Sequence, residues 1–254
     1  MSIASLPMYW RAENAAAWRM FWSMVQDIGR TEGITLPDLT EPAALPNDLA
    51  QHWTAPDLVL SMTCGLPFRS FLRGKVRYVG TLDFGLGTPL GHYQSQIIVR
   101  SDLSGPAKRL AYNSGDSQSG WAATQDLPET AEIAETVPTG AHAASLAALA
   151  DGRADIACID AVTWRLLERF DPNARRVTRL GTTRPTPGLP LITSLATDPI
   201  PLRTALCTAI ERFKPADPAD LGGPMTFCML DEQDYYSEPI PTPPAARNRA
   251  DAGS

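Results

Sequence analysis

Three polar segments of this chain carry residue types able to bind an anion or move a proton. The first, Asn113-Ser114-Gly115-Asp116-Ser117-Gln118-Ser119-Gly120, crowds hydroxyls, amides and two glycines between a strand-like run at 109–112 and a Trp121-Ala122-Ala123 that opens helically. Such a turn exposes backbone N–H groups and hydroxyls at the positive end of a helix dipole, where an anion binds without a cationic side chain. The spacing is not the GxxxxGK[ST] of a nucleotide P-loop. Taken alone, the segment favours the N-cap of an ordinary helix, with Ser117 or Ser119 satisfying orphan amides.

The second is His142, one of three histidines with His52 and His92, in the first turn of a helix after Thr139-Gly140-Ala141. It reads as a packing residue or as a neutral ring whose N–H a bound oxyanion could share. The third is Asp160, which closes the apolar run 154–159 and precedes Ala161-Val162-Thr163. An N-cap and a ligand contact are both open to it, and the two roles can coexist. All three segments lie just past strand ends, where open α/β sheets bind their ligands.

The elements that position these residues follow a βαβ rhythm. Residues 2–9 read as a strand. Asn14 can cap a helix to Gly29, with Ala15, Trp18, Phe21, Trp22, Val25 and Ile28 on one face. Strands at 57–61 and 75–84 follow, the first ending in Thr63-Cys64 before a short helix. A strand at 93–100 begins a second series, with strands at 109–112, 133–137, 154–160 and 176–182 and helices at 141–150 and 161–170. A strand at 191–196 and a helix at 201–213 close the pattern. The Gly/Pro-rich stretches 85–91 and 185–188 then read as two crossings between lobes, hence a hinge and a closing cleft. This predicts an α/β protein of two Rossmann-like lobes with parallel sheets, lobe 1 from 1–88 plus 190–237 and lobe 2 from 89–189. The Pro-rich stretch 238–254 reads as a disordered tail.

Bulk properties narrow the partner. The 254 residues are 44% apolar and 20% charged, enough to bury a real core. Twenty-two Lys+Arg against 28 Asp+Glu give a net charge of −6, with no basic run, which argues against nucleic acid. No run approaches the ~20 apolar residues of a membrane span. Cys64, Cys158, Cys207 and Cys228 show neither CxxC nor zinc-site spacing. Cys158 reads as core, a disulfide is neither required nor excluded, and nothing calls for a metal or cofactor.

Together, Tyr93-Gln94-Ser95, Asp116-Ser117-Gln118-Ser119-Gly120, Thr139-Gly140-Ala141-His142-Ala143-Ala144-Ser145 and Asp155-Ile156-Ala157-Cys158-Ile159-Asp160 resemble the phosphonate-binding proteins of ABC importers, over roughly residues 3–215. The resemblance implies a type II periplasmic-binding-protein fold, two α/β lobes joined by two hinge strands. It implies that Ser117, Gln118 and Ser119 cradle phosphonate oxygens, joined by Tyr93, His142 and Asp160, the last facing an amine or a protonated oxygen. Gln118 departs from the family's small hydroxyl at that position. In the first lobe Tyr9, Thr63 and Cys64 follow their strands and face the cleft. No residue is assigned a catalytic role.

The expected function is capture of a small oxyanion (phosphonate, phosphite or phosphate ester) for an ABC permease. The alternative is a cytoplasmic enzyme or ligand sensor on the same fold, with His142 and Asp160 as an acid–base pair and Cys64 as a thiol. The resemblance implies a periplasmic address. The first residues show no basic start with an apolar run behind it, so that either the protein is cytoplasmic or the sequence begins at a mature or reannotated start.

Overall fold

A computed structural model describes residues 2–46 and 48–244. In chain order its elements are β1 (Ile3–Ala4), α1 (Ala15–Thr31), α2 (Leu49–Trp53), β2 (Leu58–Met62), α3 (Gly65–Arg69), β3 (Val76–Asp83), β4 (His92–Tyr93) and β5 (Ser95–Arg100). Then come β6 (Arg109–Tyr112), β7 (Glu135–Pro138), α4 (His142–Ala150), β8 (Ile156–Asp160), α5 (Ala161–Phe170), β9 (Val177–Thr182) and β10 (Thr186–Pro187). The chain continues through β11 (Pro190–Ser194), α6 (Pro199–Arg212), β12 (Thr226–Cys228) and α7 (Glu232–Tyr236).

The strands form two five-stranded sheets, ordered β1-β2-β11-β3-β12 and β7-β6-β8-β5-β9. Neither is wholly parallel, contrary to the expectation from βαβ rhythm. Within each local βαβ run the pairs are parallel, as in β1 with β2 and β6 with both β7 and β8. The strand that enters each sheet from a crossing is antiparallel to its neighbours: β11 to β2 and β3, and β5 to β8 and β9. The reason is directional. The βαβ strands end at the side where the two sheets meet, whereas a returning strand must begin there. The crossings themselves pair, Thr186 with Tyr93 and Pro187 with His92, as a two-stranded antiparallel ribbon between the sheets.

Helix periodicity translates directly into packing. α1 buries Trp18, Phe21, Trp22, Val25 and Ile28 against the first sheet, alongside Leu202, Ala205, Leu206 and Ala209 of α6. The other face of that sheet is covered by Trp53, Phe68 and Tyr235 from α2, α3 and α7. α4 and α5 cover the second sheet through Leu146, Leu149, Trp164 and Leu167. α5 is also shared: its Val162 and Leu166 belong to the core of the first lobe. Its Arg165 donates to the carbonyls of Phe84, Gly85 and Gly222, tying the second lobe to a crossing and to the first.

Two local expectations give way. The helix expected from Trp121 is only a 3₁₀ turn, Ala122–Thr124. Pro128 lies too close for more, and it holds Leu127 extended, at φ −88° and ψ 128°. The expected loose tail is ordered over its first part. Arg69, buried at 4% exposure, donates through two nitrogens to the Pro239 carbonyl. Glu238 pairs with Arg184, and the Trp121 indole donates to the Thr242 carbonyl at 2.9 Å. The rest of that expected tail, 245–254, lies outside the described residues. All four cysteines are free, and among the described residues no helix is long and apolar enough to cross a membrane.

Candidate ligand-binding site

A cavity of about 520 Å³ opens between the two sheets. Of the nine residues singled out from sequence, Tyr9, Cys64, Ser117, Ser119, His142 and Asp160 line it. Each sits just past a strand end: Tyr9 after β1, Cys64 after β2, Ser117 and Ser119 after β6, His142 after β7 and Asp160 at the end of β8. Thr63, Gln118 and Tyr93 do not line it. Thr63 is fully buried with an unpartnered hydroxyl, and Tyr93 lies beneath Cys64, its hydroxyl 4.0 Å from the sulfur. Gln118 turns its side chain toward a separate small pocket bordered by Arg184 and Thr186, while its backbone N–H donates to Cys64 Sγ at 3.1 Å.

The Ser turn is closed by its own bonds. Gly120 N donates to Ser117 Oγ at 3.0 Å, Trp121 N and Ala122 N both donate to the Ser117 carbonyl, and Ala123 N to that of Gln118. Ser117 N is taken by the Ser114 carbonyl. Among the described residues, this leaves the N–H of Ser119 as the one free backbone donor from 117 to 123. The expected row of N–H groups at a helix end is therefore absent, because no helix follows. What the turn offers instead is hydroxyl protons. Ser117 Oγ already accepts from Gly120, and Ser119 Oγ is 2.9 Å from His142 Nε2 and 3.4 Å from Ser117 Oγ. Ser95 Oγ anchors the turn from β5 by donating to the Ser119 carbonyl. Gly120 admits this geometry, since a Cβ there would lie 1.9 Å from Asn113 Oδ1.

Of the helix starts that border the cavity, that of α4 has an N-cap, Ala141, with no side-chain cap, whereas that of α5 is capped by Asp160. The first-turn N–H groups of α4 carry the positive end of the helix dipole beside Gly140 and His142. His142 keeps some contact with the cavity, yet its surroundings are dense enough that desolvation lowers its pKa to about 4. It is therefore neutral at pH 7, with Nε2 on Ser119 and Nδ1 unpartnered.

Asp160 is the N-cap its position suggested, and it also lines the cavity. Oδ1 caps α5 by accepting from Val162 N at 2.8 Å and Thr163 N at 2.9 Å. Oδ2 accepts from the Tyr9 hydroxyl at 3.0 Å, a bond that spans the two lobes. Burial pushes its pKa up to about 6, against the downward pull of the Thr163, Tyr9 and Val162 donors. Desolvation also raises Tyr9, Tyr93 and the Cys64 thiol, so none of them is ionised at neutral pH. No Lys or Arg is among the described lining residues, whereas Asp48, Asp116 and Asp160 are.

The lining residues not singled out from sequence are of two kinds. Asn113, Ser114, Asp116, Gly140 and Thr163 flank the chosen ones on the same strand-end loops, and extending the strand-end rule by up to four residues finds them. Met8, Asp48, Leu49, Ala50, Trp53, Pro67 and Leu189 form the first-lobe wall. They carry no polar motif that marks them.

Residues 86–220 match a family model described as the periplasmic phosphonate substrate-binding protein of ABC transporters. No curated protein matches the sequence significantly. Among solved structures, PhnD1 of Prochlorococcus marinus in complex with methylphosphonate aligns with TM-score 0.66 and 11% identity, covering 92% of this chain and 94% of that one. A binding-protein component of a Pseudomonas aeruginosa ABC phosphonate transporter aligns with TM-score 0.64 and 15% identity, over 92% and 83%. A Xanthomonas citri protein bound to chloride aligns with TM-score 0.66 and 15% identity, over 94% and 97%. At these identities the likeness is one of fold, the two-lobed fold of periplasmic binding proteins.

Proposed function

This chain belongs to the phosphonate substrate-binding proteins of ABC transporters, and on that premise we propose that it captures a phosphonate, phosphite or phosphate ester between its lobes for delivery to a permease. The observation that carries this reading is the convergence of Ser117, Ser119, His142, Tyr9 and Asp160 on one cavity between the two sheets. The two serine hydroxyls and the Ser119 N–H donate to the oxyanion. Neutral His142 orients Ser119 and adds no charge that must be desolvated. The uncapped end of α4 supplies positive potential without a cationic side chain.

Three carboxylates, with no Lys or Arg among the described lining residues, select against a fully ionised headgroup. The bound species is a headgroup that keeps one proton, or a ligand with a compensating positive group near Asp160. With a pKa near 6, Asp160 can accept that proton in a hydrogen bond. Closure about the paired crossings brings Tyr9 to Asp160 and excludes water from the site. As an acid–base pair, His142 and Asp160 are poorly placed: one is engaged by Ser119, the other by Tyr9 and the α5 amides. Cys64 is held as a thiol rather than a thiolate.

Calorimetry with a panel of phosphonates, phosphite and phosphate monoesters tests this. At least one binds at micromolar strength or better, and Ser119→Ala weakens it by roughly tenfold or more, since a hydrogen bond to a charged group is worth about 1.5–3 kcal/mol. Binding by none of the panel, or undiminished binding in Ser119→Ala, would refute the assignment.

A further inference from the structure

The cavity has two unlike walls. Every lining residue contributed by the second lobe, from Asn113 to Thr163, is polar or glycine. The first lobe contributes Met8, Leu49, Ala50, Trp53 and Pro67 beside the polar Tyr9, Asp48 and Cys64, and Leu189, at the border of the lobes, packs in the first-lobe core. A headgroup seated on Ser117, Ser119 and His142 touches the polar wall and leaves the apolar one uncovered.

Size makes the same point. A headgroup of four or five heavy atoms fills on the order of 100 Å³, about three waters' share of liquid volume. The cavity of about 520 Å³ falls within the range of roughly 300–1,000 Å³ that encloses much larger organic ligands. The apolar surface on this wall comes mainly from the partly buried Met8, Leu49 and Ala50, while Trp53, 3% exposed and stacked on Phe71 with ring centroids 6.3 Å apart, backs it from the core. Charge limits what can lie there. Asp48 borders this wall and Asp116 faces it from the other lobe, so a second negative group on the ligand would be repelled.

Resting on the oxyanion reading above, we propose that the first-lobe wall is a subsite for the ligand's organic group. The ligand is an organophosphonate or phosphate monoester whose substituent is apolar, ring-sized and free of anionic groups. Its ring lies against Met8, Leu49 and Ala50, with the headgroup on the Ser turn. Methylphosphonate and phosphite fill the headgroup position alone and bind weakly.

The test compares benzylphosphonate with methylphosphonate by calorimetry on the full chain. The expected result is at least tenfold tighter binding of benzylphosphonate. Leu49→Asp and, independently, Met8→Asp place a charge on the apolar wall at residues that are only partly buried. Each should bring the two affinities within about threefold of one another, with ligand-free melting temperatures reported alongside. Equal or tighter binding of methylphosphonate by the wild type overturns the subsite and leaves the oxyanion reading standing. A preference for benzylphosphonate that survives both substitutions overturns its location. If neither compound nor any other phosphonate binds, the oxyanion reading falls and the subsite falls with it.

Discussion

His142 and Asp160 titrate in the same pH window with opposite consequences for stability. Burial lowers His142 from an ordinary 6.5 to about 4 in the folded state. Its contribution is fully present above pH 6.5 and is lost as pH falls toward 4, because the unfolded chain takes up the proton first. Burial raises Asp160 from 3.8 to about 6. Its contribution is fully present below pH 3.8 and is lost as pH rises through 6. At about 1.36 kcal/mol per pKa unit, raising the pH from 4.5 to 7.5 gains roughly 2–3 kcal/mol from His142 and costs roughly 2 kcal/mol at Asp160. In the wild type the two slopes nearly cancel. His142→Gln keeps a donor and acceptor toward Ser119 but removes the titration, and Asp160→Asn preserves a good N-cap for α5. Urea denaturation at pH 4.5, 6.0 and 7.5 separates the effects. Relative to wild type, His142→Gln should lose about 2 kcal/mol or more as the pH rises, and Asp160→Asn should gain about 2 kcal/mol. If both variants keep the wild-type slope, or shift it in the same direction, the burial argument for the site is wrong.

Two further outcomes follow from contacts around the Ser turn. Gly120→Ala places a methyl 1.9 Å from Asn113 Oδ1. It should destabilise the protein by about 1–3 kcal/mol in denaturant titration, and it should weaken phosphonate binding by displacing the turn. Truncation after Ser237 leaves Arg69 buried without its Pro239 acceptor and the Trp121 indole without Thr242. The melting temperature should fall by about 5 °C or more, at about 1–3 kcal/mol per abandoned buried donor. A truncated chain that melts with the full-length one would show that this segment does not brace the turn.

How much of this was legible in the sequence depends on the range of the interaction. The apolar steps of α1 and the run ending in Asp160 are local patterns, and their period specifies helix and strand whatever surrounds them. Strand ends were therefore readable, and six of the nine chosen residues lie on the cavity because they sit at strand ends. Gln118 was misplaced because a turn residue's direction depends on which neighbours claim its backbone, and here Cys64, 54 positions away, takes its N–H. The antiparallel strands were missed because βαβ rhythm describes only consecutive strands, while β11 and β5 take their direction from the crossings that deliver them. The first-lobe wall was invisible for a different reason. Leu49, Trp53 and Leu189 have the composition of core residues, and only the gap between the lobes turns their exposed edges into a surface.

α5 shows why the two lobes cannot be treated as separate binding halves. Its first turn is capped by Asp160 inside the cavity, and Asp160 also receives the Tyr9 hydroxyl from the opposite lobe. One turn on, Arg165 reaches the Phe84 and Gly85 carbonyls of one crossing and the Gly222 carbonyl of the first lobe. Val162 and Leu166 pack into the first-lobe core from the same helix. Gly222 and Gly223 permit that approach: a Cβ on Gly222 would stand 2.4 Å from Val162 Cγ1, and one on Gly223 2.5 Å from the Phe84 carbonyl oxygen. A rotation that separates the lobes must therefore move α5 relative to the crossing, to the first-lobe core, or to both. It must also draw the Asp160 carboxylate away from Tyr9. On the proposed function, a ligand that bridges the Ser turn and Tyr9 would stabilise the arrangement in which all of these bonds are made, and α5 would then couple binding to lobe closure.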